Sequence, residues 1–336
     1  MAKKLRVGVI GTGMAWERLH YPAFKELAEQ YEIVAVCNKT IEKAQNAAKQ
    51  LQLSNENIYS DYRQMLSRID IDVIDVLVPI SENFEVAKDV LLSGKDLIAE
   101  KPFASTVKAA EELIELKNKN NLKVMVAENF RYDDGNHIIK DILSNGRIGE
   151  VCYFIYNKAA NFEKDMTGDT FSAKEWRQHP DFAGGIFLDG GIHDIALMRF
   201  LFGDAEHVYA LGRPQQESYC PYMSINSVIQ FENNVIGNYS YYSQGPELQK
   251  PPVGLRIFGT LGDIYLESNT SGTVYINLKD GKSEQKTFTP NRGYYNELLN
   301  FYNGGLVSTP EKELGDIQLV FDILHSVENK EVTSCK

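Results

Sequence analysis

Through its first 128 residues this chain repeats one alternation: a short apolar run, a turn, then a stretch with helical spacing. The apolar runs fall at residues 5–10, 33–37, 73–78, 97–99 and 124–127. Helical patterns at 15–30, 41–51, 82–93 and 107–120 lie between them. A strand that is apolar on both faces has to be covered on both faces, and strands joined through helices run parallel. The alternation therefore predicts a parallel sheet with helices on each side.

After about residue 130 the texture changes. A helix at 137–145 leads to a longer strand at 151–156, and hairpin signals follow. They pair 227–231 with 235–242 around Glu232-Asn233-Asn234, 255–258 with 264–266 around Gly259-Thr260-Leu261-Gly262, and 273–278 with 285–288 around Asp280-Gly281. Consecutive hairpins predict a large open, mostly antiparallel sheet. Two helices, at 294–302 and 316–329, end the chain. The expected class is α/β, with one domain at 1–128 and a second at 129–336. A length of 336 residues suits two domains, each with its own core.

Composition excludes several classes. No apolar run reaches the roughly 18 residues of a membrane span. The start, Met1-Ala2-Lys3-Lys4-Leu5-Arg6, has neither the apolar stretch nor the cleavage site of a signal peptide. Cys37, Cys152, Cys220 and Cys335 are scattered, which argues against a disulfide framework or a cysteine metal site and fits a reducing cytoplasm. A formal net charge of −11 is a poor footprint for nucleic acid. The expected partner is a small molecule, with no metal, membrane or nucleic acid.

Gly8-Val9-Ile10-Gly11-Thr12-Gly13-Met14-Ala15 joins the first strand to the first helix. Glycines there allow a tight turn and let the backbone approach a pyrophosphate, whose charge faces the helix N-terminus. Gly11, Thr12, Gly13, Met14 and Ala15 are the candidate cofactor contacts. The third fingerprint position is Trp16 rather than glycine, so Ala15 takes the close-packing role. An acid usually ends the second strand and binds the ribose of NAD. Here Asn38, Lys39 and Thr40 stand there, with no carboxylate to repel a 2′-phosphate. That favours NADP over NAD, with Asn38 and Lys39 as the contacts.

Two further places carry chemistry. Leu97-Ile98-Ala99-Glu100-Lys101-Pro102 ends an apolar strand on a lysine held extended by the proline after it. Ligands of open α/β sheets collect outside the carboxyl ends of the strands, so Lys101 is placed to hold a substrate oxygen. Downstream, Gly184-Gly185-Ile186-Phe187-Leu188-Asp189-Gly190-Gly191-Ile192-His193 sets Asp189 four residues before His193. On the first turns of a helix the two share a face. A histidine beside a carboxylate exchanges protons near neutral pH. His20 and Tyr21 before Pro22 read as packing residues, near the cofactor at most.

Together the glycine turn, Glu100-Lys101-Pro102 and the Gly-Gly-x-x-x-Asp-x-Gly-x-His run resemble the Gfo/Idh/MocA family. Smaller blocks fill the intervals, among them Asp61-Tyr62-Arg63-Gln64-Met65-Leu66, Glu128-Asn129-Phe130-Arg131-Tyr132 and Trp176-Arg177. The resemblance implies an N-terminal Rossmann domain and a C-terminal α/β domain whose open sheet mediates a dimer or tetramer. It implies hydride transfer between nicotinamide and a hydroxyl-bearing carbon of a sugar, cyclitol or related polyol. Lys101, Asp189 and His193 then become the catalytic group, and Pro79, Glu100 and Lys101 complete the cofactor contacts. Asn129, Arg131, Trp176, Arg177 and His179 join them as candidates for the substrate, Trp176 by stacking on a sugar face. The chain departs from the family where Pro-Asn-x-x-His is usual, reading Pro79-Ile80-Ser81-Glu82-Asn83. Two other roles fit the same motifs: a non-catalytic dinucleotide sensor, and an enzyme that uses bound cofactor transiently in glycoside cleavage or epimerisation.

Overall fold

The structure is a computed structural model that describes residues 3–244 and 253–335. The described residues form two compact units. The first comprises those up to Asn129 together with Tyr294–Leu314; the second comprises those from Phe130 to Gly293 and from Gly315 on. The sequence reading divides the chain into consecutive domains at residue 128, whereas packing groups 294–314 with the first. Within that unit the Tyr31 hydroxyl donates to the Leu298 carbonyl at 2.6 Å, and Leu298 and Phe301 are fully buried.

The first unit holds six parallel strands: β1 (Leu5–Ile10), β2 (Tyr31–Cys37), β3 (Ile58–Tyr59), β4 (Val73–Val76), β5 (Asp96–Glu100) and β6 (Val124–Ala127). Their order is β3-β2-β1-β4-β5-β6. Chain direction across the sheet reverses between β1 and β4, and ligands of such sheets bind at that switch point. Val7, Val9, Val36, Ile74, Leu97, Ile98 and Val126 make the core, none of them exposed. In place of one helix over 15–30, a π-helical turn at Trp16–His20 precedes an α-helix at Tyr21–Glu26. Pro22 has no N–H for the carbonyl four residues back, and the turn ahead of it widens, with Tyr21 N–H donating to the Trp16 carbonyl.

The second unit is built on β7 (Val151–Ala159), β8 (Ala205–Pro214), β9 (Tyr222–Phe231), β10 (Ile236–Tyr242), β11 (Gly254–Gly259), β12 (Gly262–Leu266), β13 (Thr273–Leu278), β14 (Ser283–Thr287) and β15 (Thr333–Ser334). The order is β14-β13-β12-β11-β7-β10-β9-β8-β15. Neighbours are antiparallel except β7 with β10, so the expected hairpins form and one parallel joint links them. The helix Gly191–Phe202 is buried along most of its length. Phe202 stacks on Phe154 of β7 at 4.6 Å between ring centroids. Asp194 of the same helix accepts from the Tyr156 and Tyr239 hydroxyls at 2.6 and 2.9 Å. On the other face Tyr153, Tyr209, Leu211, Val228 and Ile236 are exposed. The last helix starts earlier than its apolar pattern suggests, spanning Pro310–Asn329. No described helix is long and apolar enough to cross a membrane.

Candidate active site

In the first unit the glycine turn leaves β1 at the switch point. Gly11 has φ +100°, and a Cβ there would stand 2.2 Å from the Leu77 carbonyl oxygen. Its N–H bonds the Cys37 carbonyl, and Leu77 N–H bonds the Ile10 carbonyl, so three strand ends are tied at one point. A Cβ on Gly13, by contrast, would meet nothing within 4 Å. The Thr12 hydroxyl is buried and has no hydrogen-bond partner among the described residues. A turn with an open face and an unmatched buried hydroxyl fits a phosphate-bearing cofactor. Gly11, Thr12, Gly13, Met14 and Ala15 would hold it. The N–H groups at the start of the Trp16–His20 turn are the natural donors.

Beyond β2, the Asn38 side chain accepts from Thr40 N–H at 2.9 Å and closes its own turn. Lys39 is largely exposed and pairs with Glu82 at 2.7 Å. An exposed pair of this kind contributes at most about 1 kcal/mol, so it yields readily to a phosphate.

Lys101 follows β5, half-buried. The peptides on either side of it are held from within. Asn83 donates from one amide nitrogen to the Glu100 carbonyl at 3.3 Å and to the Pro102 carbonyl at 2.9 Å. Glu100, read from sequence as a cofactor contact, turns inward instead. One of its carboxylate oxygens faces His20 Nε2 at 3.3 Å, and the other accepts the Lys101 N–H at 3.1 Å. Its place is behind the lysine, because a carboxylate at a strand end is drawn to a buried cation.

In the second unit Gly184 and Gly185 both take positive φ and turn the chain sharply into the short helix Ile186–Asp189. Gly190 separates this helix from Gly191–Phe202, so Asp189 and His193 lie on two adjoining helical pieces rather than one. Asp189 is buried and accepts from Arg177, at 2.5 Å from Nε and 3.3 Å from a terminal nitrogen. His193 is half-buried and stacks on Phe130 at 4.7 Å. The Arg177 guanidinium lies 4.2 Å from the Trp176 ring centroid and 5.7 Å from that of Phe171.

One candidate, Arg131, falls away from the substrate role. Arg131 is 2 % exposed and bonds both oxygens of Asp316, which Arg199 also contacts. A buried guanidinium so matched is an internal ion pair, not a substrate clamp. Asn129 is buried at the end of the first unit's sheet. His179 is exposed and hydrogen-bonds Ser218 at 2.9 Å.

Residues 5–128 match the oxidoreductase family with an NAD-binding Rossmann fold, and residues 137–265 match the Gfo/Idh/MocA C-terminal domain. The chain belongs to the Gfo/Idh/MocA family. A Saccharomyces cerevisiae protein is 29% identical over 320 residues, covering 92% of this chain and 89% of its own. A dTDP-3,4-didehydro-2,6-dideoxy-α-D-glucose 3-reductase from Saccharopolyspora spinosa is 30% identical over 245 residues, 72% of this chain and 69% of its own. Among solved structures, an oxidoreductase from Thermotoga maritima superimposes with a TM-score of 0.86 at 25% identity and covers 99% of both chains.

This Gfo/Idh/MocA chain is thus an oxidoreductase with an NAD-binding Rossmann domain. Its fold agrees with the sequence expectation. What the sequence reading missed lies under Lys101. His20, assigned to packing, has no exposure and stands 3.0 Å from the equally buried Asp75. One signal was available: Asp75 is a lone carboxylate inside an apolar strand covered on both faces, a position that demands a buried partner.

Proposed function

We propose that the chain is a dehydrogenase or reductase acting on a CH–OH carbon of a sugar, cyclitol or related polyol, with NADP favoured over NAD. One observation carries the reading. The order β1-β4-β5 brings the glycine turn, Pro79 and Lys101 to one carboxyl edge of the parallel sheet. A cofactor held by that turn has an internally braced cation beside it. The Saccharopolyspora relative, named a reductase of a keto-sugar, supports the substrate class.

Bound nicotinamide supplies the hydride donor or acceptor. His193 takes the hydroxyl proton in oxidation and returns it in reduction. Lys101 hydrogen-bonds the same oxygen and stabilises the negative charge that develops on it. Asp189, held by Arg177, accepts from a neighbouring hydroxyl, and Trp176 offers a ring to the sugar face. NADP follows from the lack of a carboxylate after β2 and from the exposed Lys39, which can exchange Glu82 for a 2′-phosphate.

The test is a panel of polyols and keto-sugars assayed by nicotinamide absorbance with both cofactors. Turnover is expected with at least one of them, and the KM for NADPH is expected to lie below that for NADH. Lys101→Met and His193→Ala should each lower kcat about 10²- to 10⁴-fold with folding intact. Near-normal turnover in both variants refutes the assignment, and a clear NADH preference refutes the cofactor choice. A cytoplasmic homo-oligomer completes the proposal, the exposed face of the second sheet supplying the contact.

A further inference from the structure

His20 sits where a first helix usually contributes packing, yet it stands between two carboxyl groups inside the first unit. The widened turn at Trp16–His20 carries its ring fully inside. Nδ1 lies 3.0 Å from Asp75 of β4, and Nε2 lies 3.3 Å from Glu100 of β5. Both ring nitrogens thus face carboxyl groups, which when ionised can only accept. A neutral imidazole has a single N–H and would turn a lone pair on one of them. With both carboxylates ionised, only a ring that carries two protons satisfies them. Its other neighbours are the rings of Phe24 at 6.5 Å and Tyr294 at 6.1 Å. Glu297 of the helix Gly293–Asn303 and Glu128 after β6 belong to the same charged cluster.

The far oxygen of Glu100 accepts the Lys101 N–H. A continuous path runs from Asp75 through His20 and Glu100 to the backbone of Lys101. We propose that His20 is a positioning residue for Lys101, fixing Glu100 so that the lysine peptide is held in one orientation at the strand end. The proposal rests on the reading of Lys101 as the group that bonds the reacting oxygen. Burial opposes the charged ring, but Asp75 and Glu100 outweigh it and hold the His20 pKa well above its ordinary value.

The test is a double-mutant cycle on the full chain, assayed with the best substrate of the polyol and keto-sugar panel. His20→Asn keeps a donor near Asp75 and loses the reach to Glu100; His20→Gln keeps the reach to Glu100. His20→Asn should lower kcat about 10- to 100-fold, with NADPH affinity by fluorescence nearly unchanged. His20→Gln should restore part of the loss. In the Lys101→Met background, His20→Asn should cost almost nothing more, because the two act through one group. Glu100→Gln, close to isosteric, runs through the same cycle should His20→Asn fail to fold. Normal turnover in the single variant overturns the proposal, and so does an undiminished loss on top of Lys101→Met. If Lys101→Met itself turns over normally, the role of Lys101 fails instead.

Discussion

Two glycines two residues apart separate backbone need from ligand need. At Gly11 the positive φ and the Leu77 carbonyl leave no room for a side chain. Gly11→Ala should destabilise the protein by about 1–3 kcal/mol and abolish dinucleotide binding. At Gly13 an added methyl meets only open space. Gly13→Ala should melt normally yet bind NADPH more weakly, since the methyl occupies the approach of the phosphates. Thermal melts and fluorescence titration give both readings; normal NADPH affinity in Gly13→Ala would show that the turn is not the phosphate cradle. Both glycines were legible in the sequence because their meaning is local, set by a strand just before and a helix just after. His20 was not, since its partners Asp75 and Glu100 lie 55 and 80 residues away.

At the scale of elements, the helix Gly191–Phe202 leaves His193 half-buried while keeping most other side chains inside. Asp194 anchors it, accepting from Tyr156 and Tyr239 on the adjacent, parallel strands β7 and β10. Asp194→Ala takes the shared acceptor away from the Tyr156 and Tyr239 hydroxyls and should cost about 1–3 kcal/mol in denaturant unfolding. Tyr156→Phe removes one donor and should cost roughly 1–2 kcal/mol. An Asp194→Ala protein as stable as wild type would mean that the aromatic contacts hold the helix by themselves. The alternating tyrosines of β10 were readable as a strand, but not which face they occupy. Gly237 decides part of that: a Cβ there would fall 2.0 Å from the Phe154 ring, so its missing side chain is what lets Phe154 lie flat beneath the strand.

For the whole molecule, buried acids set the response to pH. Glu297 is fully buried, and neither carboxylate oxygen has a hydrogen-bond partner among the described residues. Burial, with Glu100, Glu128 and Asp75 nearby, outweighs the pull of His20 and raises its pKa well above the ordinary value. A group raised in the folded state contributes its full stability below its unfolded value, near 4.3 for glutamate, and loses it as pH climbs through the folded value. His20, also raised, acts in the same direction, from about 6.5 upward. Glu297→Gln cannot titrate, so its melting temperature should exceed that of wild type at pH 8, by an amount that shrinks toward pH 4.5. A difference independent of pH would rule out titration of Glu297 as its cause. The sequence by itself determined the parallel sheet, the hairpin sheet, the glycine turn and the strand-end lysine, because each is written in neighbouring residues through periodicity and turn chemistry. Tertiary structure alone decided that 294–314 packs with the first unit, that Arg131 is internal, and that Asp75, Glu100 and Glu297 gather around His20. Those outcomes depend on which distant strands and helices are brought together, and burial then dictates which charges must pair.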